Sequence, residues 1–316
     1  MKFLMGLVAV SLVFPGSLSS AAHGLDVEHF MQDNGSESSA RLALVFGKNQ
    51  LGEMADVFGI PNQCFSSSID DEPSVGRFIH VGPDGVETQF GTGATVAAPD
   101  IVLTASHFLT YGNGRPIPAE NVNFRLYEGN PLDCREVDYP VERIIHGATD
   151  GDEANDFAVL KLVRPVQQYA PHQLASAELV ARAVSGLEKL VLVGFPKHPA
   201  TQNGLNYSAV SCWISAPPPL NRSFGNTNIV VHNCDTAKGS SGAPLTVITP
   251  SDGSTNQTGR PLKYIRHIVA IQRGNGSSAP DRDPYESSTF SPVTNYNDAI
   301  VIHDGIREAI NSLMAE

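Results

Sequence analysis

A chain of 316 residues with a formal net charge of −12 has too few Lys and Arg to neutralise phosphates, which argues against a nucleic-acid partner. Nor does it carry a polybasic run for an anionic membrane surface. Its length admits a sizeable core, and 28 glycines and 22 prolines favour many short strands and turns over long helices.

In chain order, residues 1–22 read as a secretory signal: Lys2, an apolar stretch from Phe3 to Phe14, Pro15-Gly16, then small residues to Ala21-Ala22. The apolar stretch falls short of the roughly 20 residues that a membrane span needs, so the mature protein is expected to be soluble and exported, extracellular or periplasmic. Residues 23–73 are polar and acidic, and read either as a pro-segment or as a permanently attached extension. From Val75, Phe78-Ile-His-Val, the turn Gly82-Pro-Asp-Gly85 and Glu87-Thr-Gln-Phe predict a strand, a hairpin and a second strand. Further strands are expected at Asn123 to Tyr127, at Val141 to Ile145 and at Leu190-Val-Leu-Val-Gly-Phe-Pro. Leu174 to Leu190 has helical spacing. Ile306, Ile310 and Leu313, at i, i+4 and i+7, predict an amphipathic helix over 304–316.

The richest stretch is Cys234-Asp-Thr-Ala-Lys-Gly-Ser-Ser-Gly-Ala-Pro244. A serine in a Gly-x-Ser-Gly turn is exposed and ready to be activated, which makes Ser241 the candidate nucleophile, with Ser240 its rival. A serine hydroxyl is nearly inert at neutral pH, so it needs a general base, a group that orients the base and amide donors for an oxyanion. Of ten histidines, His107 closes the strand-like run Asp100-Ile-Val-Leu-Thr-Ala-Ser-His and is the candidate base. The orienting carboxylate is sought where an acid interrupts a buried pattern, as Asp156 does in Asn155-Asp-Phe-Ala-Val-Leu. Asp150, Asp152 and Glu153 belong to a Gly/Asp-rich loop, read as solvated, with calcium as the competing reading. The order His, Asp, Ser is one of the three orders in which such triads occur.

On these pieces, together with Gly91-Thr-Gly-Ala-Thr-Val, residues 74–303 resemble the secreted trypsin-like serine peptidases, nearer the bacterial glutamyl-endopeptidase branch. The resemblance implies an all-β fold of two antiparallel six-stranded barrels, about 74–170 and 188–303, with a C-terminal helix and the triad in the cleft between barrels. It places the oxyanion amides at Gly239 and Ser241, with the φ of Gly239 as the reason for a glycine there. It implies protein or peptide substrates, a monomer and no cofactor or metal. Leu44-Val-Phe-Gly-Lys resembles the mature start of the bacterial branch, which would put propeptide cleavage after Arg41. Phe108 stands where the animal enzymes have a disulfide cysteine. Ser240 replaces their activating aspartate, so activation by that ion pair is not expected.

The pocket is harder to read. Asp235, six residues before Ser241, occupies the place of the aspartate of enzymes that cut after Arg or Lys; the competing reading is a loop-capping role. Glutamyl-specific relatives use a threonine, for which Thr236 is suited, and a histidine on the next strand, where this chain has Gln272 in the run Gln272-Arg273-Gly274. Arg273 keeps an acidic substrate open. Relatives also suggest the disulfide Cys212 to Cys234, leaving Cys64 to Cys134 by exclusion; no Cys-x-x-Cys spacing supports zinc instead. Sequons at Asn34, Asn206, Asn221, Asn256 and Asn275 matter only in a eukaryote. A catalytically silent binding relative and an esterase of another fold are the other functional classes.

Overall fold

The computed structural model describes residues 45–46, 75–129, 135–147, 153–197, 208–215, 228–250, 264–277, 287–288 and 295–315. The signal, the Arg41 cleavage site, Cys64, Cys134 and most of 23–73 lie outside them. A two-residue strand, β1 (Val45–Phe46), precedes the first barrel.

That barrel is made by β2 (Val75–Val81), β3 (Glu87–Val96), β4 (Ala98–Thr104), β5 (Val122–Glu128), β6 (Arg135–His146) and β7 (Ala158–Leu162). It closes in the order β2-β3-β4-β7-β6-β5, with β5 pairing back onto β2. The expected hairpin is present: the amides of Gly82 and Gly85 donate to Val86 O and Gly82 O, and Gly85 takes φ +78°. Register shifts near Phe78, Thr95 and Val141 bend the strands, as closure requires. Phe78, Phe124, Leu126, Tyr139, Leu160 and Leu162 fill the interior.

Between the barrels run β8 (Gln173–Leu174) and α1 (Ala177–Val184). The helix is shorter than the expected 174–190. Ser176 caps its start by accepting from Leu179 N, and Gly186, at φ +71°, ends it. Leu174 instead pairs parallel with Ile268.

The second sheet comprises β8 with β9 (Leu190–Gly194), β10 (Ser208–Cys212), β11 (Ile214–Ser215), β12 (Ile229–His232), β13 (Pro244–Pro250), β14 (Tyr264–Ser277) and β16 (Asn295–Val301). Its path is β10-β9-β13-β14-β16-β12-β11, and β8 pairs with β14 off that path. The two ends of the path, β10 and β11, are separated in the chain by Trp213 alone. Unlike the first barrel, this sheet does not close on itself through hydrogen-bonded strands; it curls as a half-barrel over the second core around Leu192, Val230, Leu245 and Val269. The short β15 (Ser287–Ser288) pairs parallel with β1.

A third cluster joins the barrels. Ile101, Leu103 and Val159 from the first meet Ile268 and Ile300 from the second, and Ile306, Ile310 and Leu313 of α2 (Asp304–Met314) pack onto both. Burying each of those helix side chains contributes roughly 1.5–3 kcal/mol. The helix stops at Met314, and its N-terminus is capped by His303, whose side chain accepts from Gly305 N. Among the described residues no helix is long and apolar enough to cross a membrane.

Candidate active site

The ends of elements in both barrels meet at His107. Strand β4 ends at Thr104, and after Ala105 and Ser106 a single 3₁₀ turn, His107–Leu109, turns the imidazole out of the first barrel. Phe108 holds that turn without a disulfide. A Cβ on Gly91 would come within 2.4 Å of its ring, so only glycine admits the ring there, and Phe90 and Phe78 pack against it at 5.3 and 5.6 Å. Asp156 follows another 3₁₀ turn, Glu153–Asn155, and is separated from β7 by Phe157 alone.

Asp156 Oδ1 accepts from the amides of His107 (2.7 Å) and Ser106 (3.0 Å), while Oδ2 lies 2.7 Å from His107 Nδ1. The carboxylate side chain is only 13% exposed, so these donors replace the water it has lost. His107 Nε2 is 3.1 Å from Ser241 Oγ. Burial alone would lower the pKa of His107; the charge and hydrogen bond of Asp156, with the more distant charge of Asp298, more than offset this and raise it above its ordinary value.

Ser241 sits in the loop between β12 and β13, pinned from both sides. Its carbonyl accepts from Thr92 N of the first barrel at 2.8 Å, and the next amide, Gly242 N, donates to Gln272 O of β14 at 2.7 Å. Gly242 has φ +81°, and a Cβ there would lie 2.0 Å from Thr104 Oγ1. Gly239 has φ +95°, and its Cβ would lie 2.8 Å from Phe195 O; its carbonyl accepts from Thr92 Oγ1 at 2.8 Å. The amides of Gly239 and Ser241 bond to no acceptor among the described residues. Ser240 faces elsewhere: it is 1% exposed, its hydroxyl accepts from Ala237 N and its amide donates to Ala237 O.

The residues read as pocket-lining are buried. Asp235 and Thr236 are 1% and 0% exposed, and Thr236 Oγ1 has no hydrogen-bond partner among the described residues. Gln272 bonds His232 Nε2 through Oε1 and donates from Nε2 to Gly274 O. Burial pushes His232 down to about 4 despite the Gln272 bond, so it is neutral. Arg273 does not stand open for an acidic ligand: its Nε and Nη2 fork onto Asp298 at 3.0 and 2.5 Å, with the pair almost wholly buried. Cys212 and Cys234 are joined, with Cα atoms 4.8 Å apart. They cluster with His232 at metal-ligand spacing, but their sulfurs are bonded to each other.

Sequence reading missed Thr92, Ser106 and Asp298. Asp298 had a signal, since Asn297-Asp-Ala-Ile-Val repeats the form of Asn155-Asp-Phe-Ala-Val. Thr92 and Ser106 had none beyond their motifs, because their roles come from contacts across the fold. Other histidines are engaged elsewhere: His172 with Thr95 O, His267 with Thr249 and His146 with Ser106.

Among known families, the trypsin-like peptidase domain matches residues 91–249, a span that holds His107, Asp156, Gly239 and Ser241. No curated protein matches the chain.

Proposed function

The chain belongs to the trypsin-like peptidase domain family, and from that premise we propose that it is a secreted serine endopeptidase working through His107, Asp156 and Ser241. The observation that carries this is the continuous relay from Asp156 through His107 to Ser241, at 2.7 and 3.1 Å across the two barrels. Ser241 Oγ attacks the scissile carbonyl while His107 Nε2 takes its proton and hands it to the leaving amine; water then hydrolyses the acyl-enzyme by the same route. Asp156 holds the proton of the neutral ring on Nδ1, so that Nε2 is free to accept. The amides of Gly239 and Ser241 bind the oxyanion, Gly239 serving because a side chain at its φ and packing would not fit.

Cleavage after Arg or Lys is the preferred specificity. Asp235 is buried in the loop that leads to the nucleophile, and the cation that an acidic substrate would need, Arg273, is already forked onto Asp298. The bond from Gln272 to His232 adds no charge, because His232 is neutral. Cleavage after Glu or Asp, in keeping with the glutamyl-endopeptidase branch, is the second reading; the buried, unpartnered hydroxyl of Thr236 favours it by offering a donor to a carboxylate. A monomer that acts on proteins or peptides, exported by residues 1–22 and carrying residues 23–73 as a pro-segment or a permanently attached extension, completes the reading.

Ser241→Ala should abolish both peptidase activity and labelling by a fluorophosphonate. Labelling that survives Ser241→Ala and vanishes in Ser240→Ala would reverse the assignment, and a wild type that takes no label would make the protein a silent binder. Fluorogenic peptides that differ only at the residue before the cut decide specificity, and a preference for Glu overturns the role given to Asp235.

A further inference from the structure

Ser106 lies behind the reacting groups, between the two segments that bring His107 and Asp156 together. Its amide donates to Asp156 Oδ1 at 3.0 Å, and its side chain, in a residue 1% exposed, meets His146 Nδ1 at 2.7 Å. His146 is the last residue of β6, in register with Ala158, and the next amide, Gly147 N, donates to Phe157 O at 2.8 Å. The end of β6 is therefore tied by backbone to the segment that carries Asp156, and by a side chain to the segment that carries His107.

Space-filling alone does not account for this pair. An alanine at 106 would keep the hydrogen bond from the amide to the carboxylate and lose the contact of the hydroxyl with the ring. The ring itself is costly to bury, because His146 Nε2 is enclosed without a hydrogen-bond partner among the described residues, and an apolar ring would fill the space without that cost. A polar contact kept in spite of it marks a place where geometry is specified more tightly than packing requires.

We propose that Ser106 and His146 form a positioning pair that fixes the Asp156 carboxylate against the His107 turn, keeping the relay to Ser241 aligned. The proposal rests on the reading of Ser241 and His107 as the reacting groups. Neither Ser106 nor His146 touches the nucleophile; they act through Asp156. Small displacements of an aligned relay are enough to matter, since a shift of about 1 Å can cost roughly a hundredfold in rate.

The test is the rate of fluorophosphonate labelling as a function of pH, with kcat and KM on one peptide, for the full secreted chain and for Ser106→Ala, His146→Phe and Ser106→Thr. Ser106→Ala and His146→Phe should label about tenfold more slowly, with the loss in kcat and KM unmoved. Their acid-limb midpoint should fall below that of the wild type, because a carboxylate held less firmly supports the imidazolium less. Ser106→Thr keeps the hydroxyl and should return the rate to within about threefold of wild type and the midpoint to the wild-type position. If Ser106→Ala does not fold, His146→Phe decides, since it removes the unpaired buried nitrogen while keeping an aromatic ring. Wild-type rates in both variants overturn the proposal; so does slowing with an unmoved midpoint, or no recovery in Ser106→Thr, either of which would make the pair merely structural. A wild type that takes no label at all removes the peptidase reading itself, and the role of the pair with it.

Discussion

Asp156→Asn changes two atoms' chemistry and almost no volume, and the hydrogen bonds around the carboxylate dictate which way the new amide turns. Asp156 Oδ1 accepts from two backbone amides, His107 N at 2.7 Å and Ser106 N at 3.0 Å. These are donors, so an asparagine must turn its carbonyl oxygen toward them. Its NH₂ group then faces His107 Nδ1, where Asp156 Oδ2 stood at 2.7 Å. The neutral ring must accept at Nδ1 and carry its proton on Nε2, pointed at Ser241 Oγ 3.1 Å away. A base that presents a proton to its nucleophile cannot remove one. In serine triads of this geometry the wrong tautomer lowers kcat by about 10⁴-fold, or about 5.5 kcal/mol in the barrier. The assay is kcat on a peptide substrate, with a melting curve as control; KM and Tm should stay near the wild-type values. A loss of less than about tenfold in a folded variant would refute the tautomer argument and Asp156 as the orienting group.

Gly239→Ala places a Cβ 2.8 Å from Phe195 O at φ +95°, so the amide must move; kcat should fall on the order of a hundredfold or more, and an unchanged kcat would remove Gly239 from the oxyanion site. An imidazole base works only when neutral, so if His107 is that base kcat/KM should fall as pH drops through its raised pKa, with a midpoint above 6.5, and a midpoint below 6.5 would contradict the support from Asp156. For folding the sign is opposite: the stability contributed by the charged ring is fully present below 6.5 and is lost as pH rises through the folded value, so His107→Gln should be relatively less stable on the acid side. Gly91→Ala drives a methyl into the Phe108 ring at 2.4 Å; overpacking of this kind costs about 1–3 kcal/mol, read as a lower Tm together with lower activity, and a melt equal to wild type would show that Phe108 does not seat the histidine turn.

The parts of the site most legible in the sequence were those that demand a rare residue type in a particular local frame: a histidine closing an apolar strand, an acid opening one, and a serine between glycines. The groups that support them were silent. Thr92 looks like any strand threonine until its hydroxyl is seen to donate to Gly239 O while accepting from Phe195 N. Asp298 and Arg273 are 25 residues apart and meet only because β14 and β16 pair. Arg273 as an acid-attracting group therefore looked plausible in sequence and is compensated in space. Periodicity located the connecting helix but overran its ends, because Ser176 and Gly186 stop it whatever the apolar spacing beyond them.

The bend that joins β10 to β11 carries the chain's single tryptophan. Trp213 is 46% exposed, donates its amide to Asn233 Oδ1 and lies directly beside the bridged Cys212. Its emission is therefore an optical signal from the second barrel alone, sensitive to the nearby disulfide, while far-UV dichroism sums over both barrels. If the shared cluster under α2 makes the two halves unfold as one cooperative unit, the two signals will trace one curve; if each half melts separately, they will part.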